Sequence, residues 1–207
     1  MKINKPKIDS CKDYNLMGAY KENVFANYCF NENINEKLKI KDITFDSCIF
    51  NKIDFSNIDL DVDLIDVIFD GCDLSNKCFD KKMISRVIFK DCKMLGTSFI
   101  ESSIKDVKFE NCVTRYLNFS GGKMNNLRID NSDFSEASFM ETDIKNLELV
   151  NVNLNRVEFM RVNLNKVDFS TSDINETIFD MRSLRGIIVD SFQCQSLVGM
   201  LGVNVKD

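Results

Sequence analysis

The residues of this 207-residue chain that could do chemistry are eight cysteines and 32 carboxylates. Cys72, Cys92 and Cys112 recur at a fixed step of twenty, a spacing that raises the question of a metal or redox cluster. Structural zinc needs four ligands in a tetrahedron about 2.3 Å from the ion, which thiols set out in a line supply badly. Cysteine is also a good small core residue, and the line is expected to be packing. Asp70 and Asp73 form a carboxylate pair, but on a convex surface they lack the burial that tunes a catalytic acid. Histidine is absent altogether. That removes the commonest general acid–base and the commonest neutral metal ligand, and with them Ser-His and Cys-His nucleophiles. No glycine-rich phosphate loop occurs, and Gly121-Gly122 is an isolated pair. The expectation is a protein with no catalytic residues, no metal and no cofactor.

The elements that carry these residues follow from spacing. From Leu64, every fifth residue to Val189 is apolar, Thr114 alone excepted. Two residues before each centre stands a second class, largely small or β-branched: Val67, Cys72, Val87, Cys92, Thr97, Ser102 and their successors. Lys77, Lys82 and Arg182 break that rule. The three remaining positions are mostly Asp, Asn, Ser, Lys and Glu. A period of five matches neither an α-helix nor a flat strand. It suits a chain that turns a corner every five residues. A longer period of twenty is also present: Phe79, Phe99, Phe119, Phe139, Phe159 and Phe179 share it. Four repeats per coil put like on like, in register near the ~4.8 Å strand spacing. The fold predicted is all-β, a right-handed quadrilateral β-helix of five-residue repeats with those phenylalanines as its core ladder and a short C-terminal α-helical cap.

Three segments are expected. Residues 1–19 form an irregular N-terminal cap, 20–189 the β-helix, and 190–207 a C-terminal helix and strand. The repeat is regular from about residue 40, and Tyr20, Phe25 and Phe30 hold the same frame upstream until Asn35 breaks it. Leu60 to Leu64 is a step of four, so 61–66 is a shortened repeat or irregular corner. At the C-terminus Asp190 with Gln193 has capping-box spacing. Cys194, Leu197, Val198 and Leu201 fall on one helical face, and Gly202 supplies a stop. The segment is expected to cover the last coil and to form a homodimer through Phe192, Leu197, Val198, Met200, Leu201, Val203 and Val205. No apolar h-region lies near the N-terminus and no apolar run reaches membrane-spanning length, so neither a signal peptide nor a membrane is expected. The cysteines show no CxxC pair or secreted framework, which suggests a reduced, cytoplasmic protein.

Charge narrows the partners. The net charge is −5, the wrong sign for direct nucleic-acid binding. Along the corner after the second side of each coil runs a mostly acidic line: Asp70, Asp73, Asp91, Glu110, Asp130, Asp133 and Asp173, with Lys90 and Lys93 interrupting it. By itself it is a solvated edge or a surface for a basic partner.

The five-residue pattern over 40–189 resembles the pentapeptide-repeat family, in variants such as CDLSN (72–76), SDFSE (132–136) and VNLNK (162–166). From Ser183 the chain resembles the C-terminus of chromosomal quinolone-resistance pentapeptide-repeat proteins of Gram-positive bacteria, through Leu184-Arg185-Gly186-Ile187 and Leu201-Gly202-Val203. The resemblance implies a dimeric rod that mimics duplex DNA, binds DNA gyrase or topoisomerase IV and counters quinolone poisoning. The acidic line would then be the partner-binding surface. Some enterobacterial members carry projecting loops tied to protection. The unbroken frame from 64 to 189 leaves no room for one, so this chain looks more like the loop-free members. The alternative is a scaffold or adaptor for another protein.

Overall fold

The computed structural model describes residues 2–20, 24–200 and 202–203. The chain winds as a right-handed quadrilateral solenoid whose successive coils are parallel neighbours. Strands β1 (Lys12–Asp13), β2 (Val24–Ala26) and β3 (Tyr28–Phe30) begin it. β4 (Leu38–Asn51), β5 (Ile58–Asp70), β6 (Met83–Lys90), β7 (Ser103–Glu110), β8 (Lys123–Asp130) and β9 (Asp143–Val150) then stack in order. β10 (Glu158–Phe159) and β11 (Ile178–Phe179) pair separately, and α1 (Ser191–Met200) follows the last coil. No helix among the described residues is long and apolar enough to cross a membrane.

Each coil has four sides, numbered here by their central residues. Side one holds Leu64, Ile84, Ile104, Met124 and Ile144; side two Phe69, Phe89, Phe109, Ile129 and Leu149. Side three holds Leu74, Met94, Thr114, Phe134 and Leu154; side four the Phe79–Phe179 series. These centres are buried, apart from Phe179, which packs partly buried on the core. Two residues after almost every centre the backbone takes a positive φ, as at Asp66 (54°), Asn76 (59°), Asp91 (51°), Asn111 (54°) and Asn151 (52°). Asn, Asp and Gly tolerate that region best, which is why the outward class is rich in them. Amide side chains then bond from coil to coil: Asn111 donates to Asp91 (3.1 Å), Asn146 to Asn126 (2.9 Å) and Asn151 to Asn131 (3.1 Å).

The small-residue position has a chemical reason as well as a steric one. Its hydroxyl or thiol donates to the carbonyl 23 residues earlier: Thr97 to Leu74 (2.9 Å), Ser102 to Phe79 (2.6 Å), Thr142 to Phe119 (3.0 Å), Cys92 to Phe69 (3.5 Å) and Cys112 to Phe89 (3.3 Å). A buried carbonyl left without a donor would cost about 1–3 kcal/mol, so Ser, Thr and Cys suit the site better than Ala. Lys77, a breaker of the small-residue rule, is buried and donates to the Ile58 carbonyl at 2.9 Å.

The slip at 61–66 is a missing corner residue. Lys41 pairs with Asp61 but Ile43 pairs with Val62, so Asp42, at φ 55°, has no counterpart in the next coil. Ile34, not Asn35, fills the core where the upstream frame breaks.

The N-terminal segment corrects two expectations. It is not only an end cap: its first residues lie along the outside of the rod. Asn4 donates to Asp106 from its amide (3.4 Å) and side chain (3.0 Å), the Lys7 amide donates to Asp66 (2.8 Å), and Ser47 donates to the Lys7 carbonyl (3.2 Å). Nor are all eight cysteines reduced. Cys11 and Cys29 form a disulfide, with Cα atoms 5.4 Å apart, beside the β1–β3 pairing.

Candidate interaction surface

The acidic residues singled out from sequence do lie at the corner between sides two and three, but they do not form a bare acidic line. Lys90 reaches Asp70 at 3.0 Å and Asp91 at 3.5 Å, and Lys93 reaches Asp73 at 3.2 Å. Lys108 pairs with Glu110 at 2.6 Å and with Asp130 at 3.1 Å. Arg128 holds Asp130 at 2.9 Å, and Arg115 holds Asp133 at 2.7 Å. Only Asp173 has no cation partner among the described residues; it accepts from the Asn175 amide at 3.0 Å. Asp130 is a correction: only 6% exposed, it lies under Lys108 and Arg128 and does not face solvent.

The cations follow the same repeat as the rings. Charges of opposite sign recur twenty residues apart: Asp66/Arg86, Asp70/Lys90, Asp73/Lys93, Arg128/Glu148, Glu141/Arg161 and Arg156/Glu176. The step that stacks rings inside stacks salt bridges outside. Exposed pairs of this kind are worth about 0–1 kcal/mol each. Their main effect is on the field of the rod, which they cancel locally. The Asp133 carboxyl is held below the ordinary carboxylate range: burial opposes this, but hydrogen bonds from Arg115 and Ser135 outweigh it.

The cysteine ladder is interior. Cys72, Cys92 and Cys112 are buried, and the Cys72 thiol donates to the Phe50 carbonyl at 3.3 Å. Within the ladder the thiols bond to one another and split. At Cys92 the Cys112 bond lowers, but the Cys72 thiol and burial outweigh it and push Cys92 up to about 12; the Cys92 thiol and burial raise Cys112; and the hydrogen bond with Cys92 lowers Cys72. Among the described residues no group of three or more His, Cys, Asp or Glu is placed to hold a metal ion.

At the C-terminus the capping box forms as spaced. The Gln193 amide donates to Asp190 at 2.8 Å and the Asp190 amide to the Gln193 side chain at 3.0 Å. Gln193 Nε2 also donates to the carbonyls of Phe169 (2.9 Å) and Ser172 (2.7 Å), fixing α1 to the coil below. Leu197 packs partly buried on the core, Val198 is half-buried, and Phe192 is 79% exposed. Cys194, assigned from sequence to the apolar face, is exposed. Val203 is exposed after Gly202, whose φ is 75°. Leu201, Val205 and the Met200 side chain lie outside the described residues.

Family profiles described as pentapeptide repeat region and pentapeptide repeats (8 copies) match residues 62–139 and 137–175. The chain belongs to the pentapeptide-repeat family. Among solved structures it is similar to a trypsin-treated form of QnrB1, a plasmid-mediated fluoroquinolone resistance protein, at 22% identity, 82% of this chain, 95% of that chain and TM-score 0.43. Full-length QnrB1 gives 16% identity, 87% and 100% coverage and TM-score 0.40. HetL, a pentapeptide repeat protein involved in heterocyst differentiation regulation from the cyanobacterium Nostoc sp. strain PCC 7120, gives 9% identity, 81% and 90% coverage and TM-score 0.34. The comparison with curated proteins finds no match.

Proposed function

We propose that this pentapeptide-repeat protein is a non-catalytic binding rod that engages a type II topoisomerase, DNA gyrase or topoisomerase IV, at its DNA-binding surface and so modulates quinolone sensitivity. The observation that carries a binding role is the solid convex rod, whose interior is filled by stacked rings and whose thiols are spent on carbonyls. The topoisomerase is suggested by the resemblance of the segment from Ser183. A cytoplasmic location and a homodimer through α1 belong to the same proposal, the latter supported by exposed Phe192 and Val203.

Magnitudes restrict how DNA could be mimicked. Duplex DNA carries about one negative charge per 1.7 Å. At ~4.8 Å per coil the rod would need about three net negative charges per coil to match it. The whole chain carries −5. Mimicry is therefore local, and Asp173, exposed and without a cation partner among the described residues, is the part of the proposed stripe most available to a partner. The extensive pairing of that corner favours a second reading, a scaffold for another protein.

The test is a gyrase supercoiling assay with and without ciprofloxacin, at rising salt. The wild type is expected to alter supercoiling or quinolone inhibition, less so as salt screens over about 8 Å. Asp73→Lys with Asp173→Lys is expected to weaken the effect while the protein stays folded. A folded double variant acting at wild-type concentration excludes the stripe. A wild type inert on both topoisomerases leaves the scaffold.

A further inference from the structure

Residues 2–15 are held to the rod by few contacts. Asn4 and Lys7 donate to Asp106 and Asp66, and the Lys7 carbonyl accepts from Ser47. Ile3, Pro6 and Ile8 are half-buried, and no residue of this stretch is fully buried. β1 has two residues and adds two backbone bonds, from Lys12 to the Asn27 carbonyl and from Tyr14 to that of Cys29, each at 2.9 Å. Burial in the core begins only at Leu16, which is 2% exposed. A segment with so little buried contact opens far more readily than the coils beneath it.

One covalent bond changes that balance. The β1–β3 register sets Lys12 opposite Tyr28 and Asp13 opposite Cys29, and the Cys11–Cys29 disulfide joins the two strands across 18 positions of sequence. Closing a loop of about that length shifts an opening equilibrium on the order of a hundredfold. It is the single disulfide among the described residues: Cys48, Cys72, Cys92 and Cys112 are buried free thiols, and Cys78 and Cys194 are exposed ones. The link lies outside the core. Cys29 pairs with Ile49, is half-buried, and lines a surface cleft of about 330 Å³ with Asp13, Tyr14, Asn15, Asn31 and Glu32.

The segment covers two features of the rod. The Tyr14 ring packs on the first coil, with centroids 4.4 Å from Tyr28, 6.0 Å from Phe25 and 6.5 Å from Phe30. Its earlier residues lie against Asp66 and Asp106, at the corner between sides one and two. Displacing residues 2–15 would uncover an aromatic end and a pair of carboxylates together.

We propose that the Cys11–Cys29 disulfide is a redox latch on this strap, shut when oxidised and opened by a dithiol reductant. A thiolate of the dithiol attacks one sulfur of the link, the S–S bond breaks, and the other cysteine leaves as a thiolate that takes up a proton. The second thiol of the reductant then displaces the first cysteine from the mixed disulfide. The reductant ends as a disulfide and Cys11 and Cys29 as thiols, so two electrons and two protons have passed to the protein. With the link open, noncovalent contacts alone hold residues 2–15, and the aromatic end and the carboxylate corner open to solvent. β6 to β9 contain no part of the latch and keep their pairing. The device is independent of the acidic line and of any topoisomerase.

The test uses the full-length protein equilibrated with oxidised or with reduced dithiothreitol. Thiols counted after acid quenching and denaturation are expected to number six in the oxidised form, the free cysteines, and to gain Cys11 and Cys29 on reduction. Amide exchange followed by mass spectrometry is expected to quicken at least about tenfold over residues 2–15 on reduction, while 103–110 keeps its rate. Cys11→Ser is expected to exchange over 2–15 as the reduced wild type does, in either reagent. Cys11 and Cys29 titrating as thiols in the oxidised preparation overturns the proposal, because the link is then not formed. Equal exchange of residues 2–15 in the two states overturns it, because the link then holds nothing. Exchange that quickens over 103–110 as well overturns it too, because reduction would then loosen the coils and not free a strap. The two redox states of the wild type decide the matter even where Cys11→Ser misfolds.

Discussion

Sides two and four begin alike and end differently. On side four Phe79, Phe99, Phe119, Phe139, Phe159 and Phe179 stack without a gap, at ring separations of 5.2, 5.2, 4.9, 5.0 and 5.7 Å. On side two Phe30, Phe50, Phe69, Phe89 and Phe109 stack at 4.6, 4.8, 5.2 and 4.9 Å, and then Ile129 and Leu149 replace the rings before Phe169 restores one. Side four stays hydrogen-bonded to its end, through β10 and β11. Side two opens between Leu149 and Phe169. Backbone ladders are common to both sides. Neither rings nor like charges alone decide closure, since Ile129 pairs with Leu149 and Lys108 faces Arg128 in closed ladders; the continuous ring column is the feature that side four has and side two lacks.

The largest expected effect comes from breaking the continuous side. Phe119 is fully buried between Phe99 and Phe139 and meets Phe109 edge-to-face at 6.2 Å. Phe119→Ala is expected to cost about 3–5 kcal/mol, read from the midpoint of thermal or denaturant unfolding. An unchanged midpoint would mean that the ladder contributes little and that the comparison of the two sides rests on the backbone alone.

The opposite change sharpens it. Leu149→Phe puts a ring next to Phe169, in the gap of side two. An aromatic pair adds about 0.5–1.5 kcal/mol beyond burial, and the opening above Leu149 gives the larger side chain room that a closed core would not. A modest rise in melting temperature and slower amide exchange over 143–150 are expected. A loss of stability would show that the space above Leu149 cannot take a ring and that side two is as tightly packed there as side four.

Much of this was legible before any coordinates. The five-residue period located the core, the twenty-residue period stacked it, and the Asp190–Gln193 spacing produced the cap it implied. The same period also contains the ion pairs, which run across coils, whereas the acidic line follows a corner and so does not show that Lys108 and Arg128 cover Asp130. The missing backbone bonds between β9 and residues 163–170 left no such trace, since Ile129 and Leu149 both replace rings in the phenylalanine column and yet pair with each other. The Cys11–Cys29 link and the path of residues 2–8 had no trace at all. They are contacts between an aperiodic segment and a periodic rod, Asn4 reaching a residue 102 positions away, and no spacing rule reaches them.

That aperiodic segment is the basis of the smallest expected effect, and it bears on the same two sides. It lies over the corner where sides one and two meet, tied from Ser47 through Asp66 to Asp106, the stretch where the ladder is closed. Asp66 is 5% and Asp106 2% exposed. Burial alone would raise both carboxyls. Hydrogen bonds reverse this, from Arg86 (both 2.6 Å) and the Lys7 amide at Asp66, and from Asn4 and Asn126 at Asp106, and hold both below their ordinary value. A depressed acid stabilises the folded contact above its unfolded pKa of about 3.9 and loses that contribution as pH falls through the lower folded value. The strap is therefore expected to stay docked at every pH from about 5 upward and to detach only below about 4. Backbone amide shifts of Asn4 and Lys7 followed by NMR from pH 6 to pH 3 would report it, while the shifts of Phe99 and Phe119 stay in place. Detachment costs a few hydrogen bonds and no core, so the melting temperature at pH 6 should fall by only about 2–4 °C per kcal/mol lost when Asp66→Asn and Asp106→Asn are combined. Strap amides that titrate near neutrality, or that never move while the rod remains folded at pH 3, would show that these two carboxylates do not hold the segment.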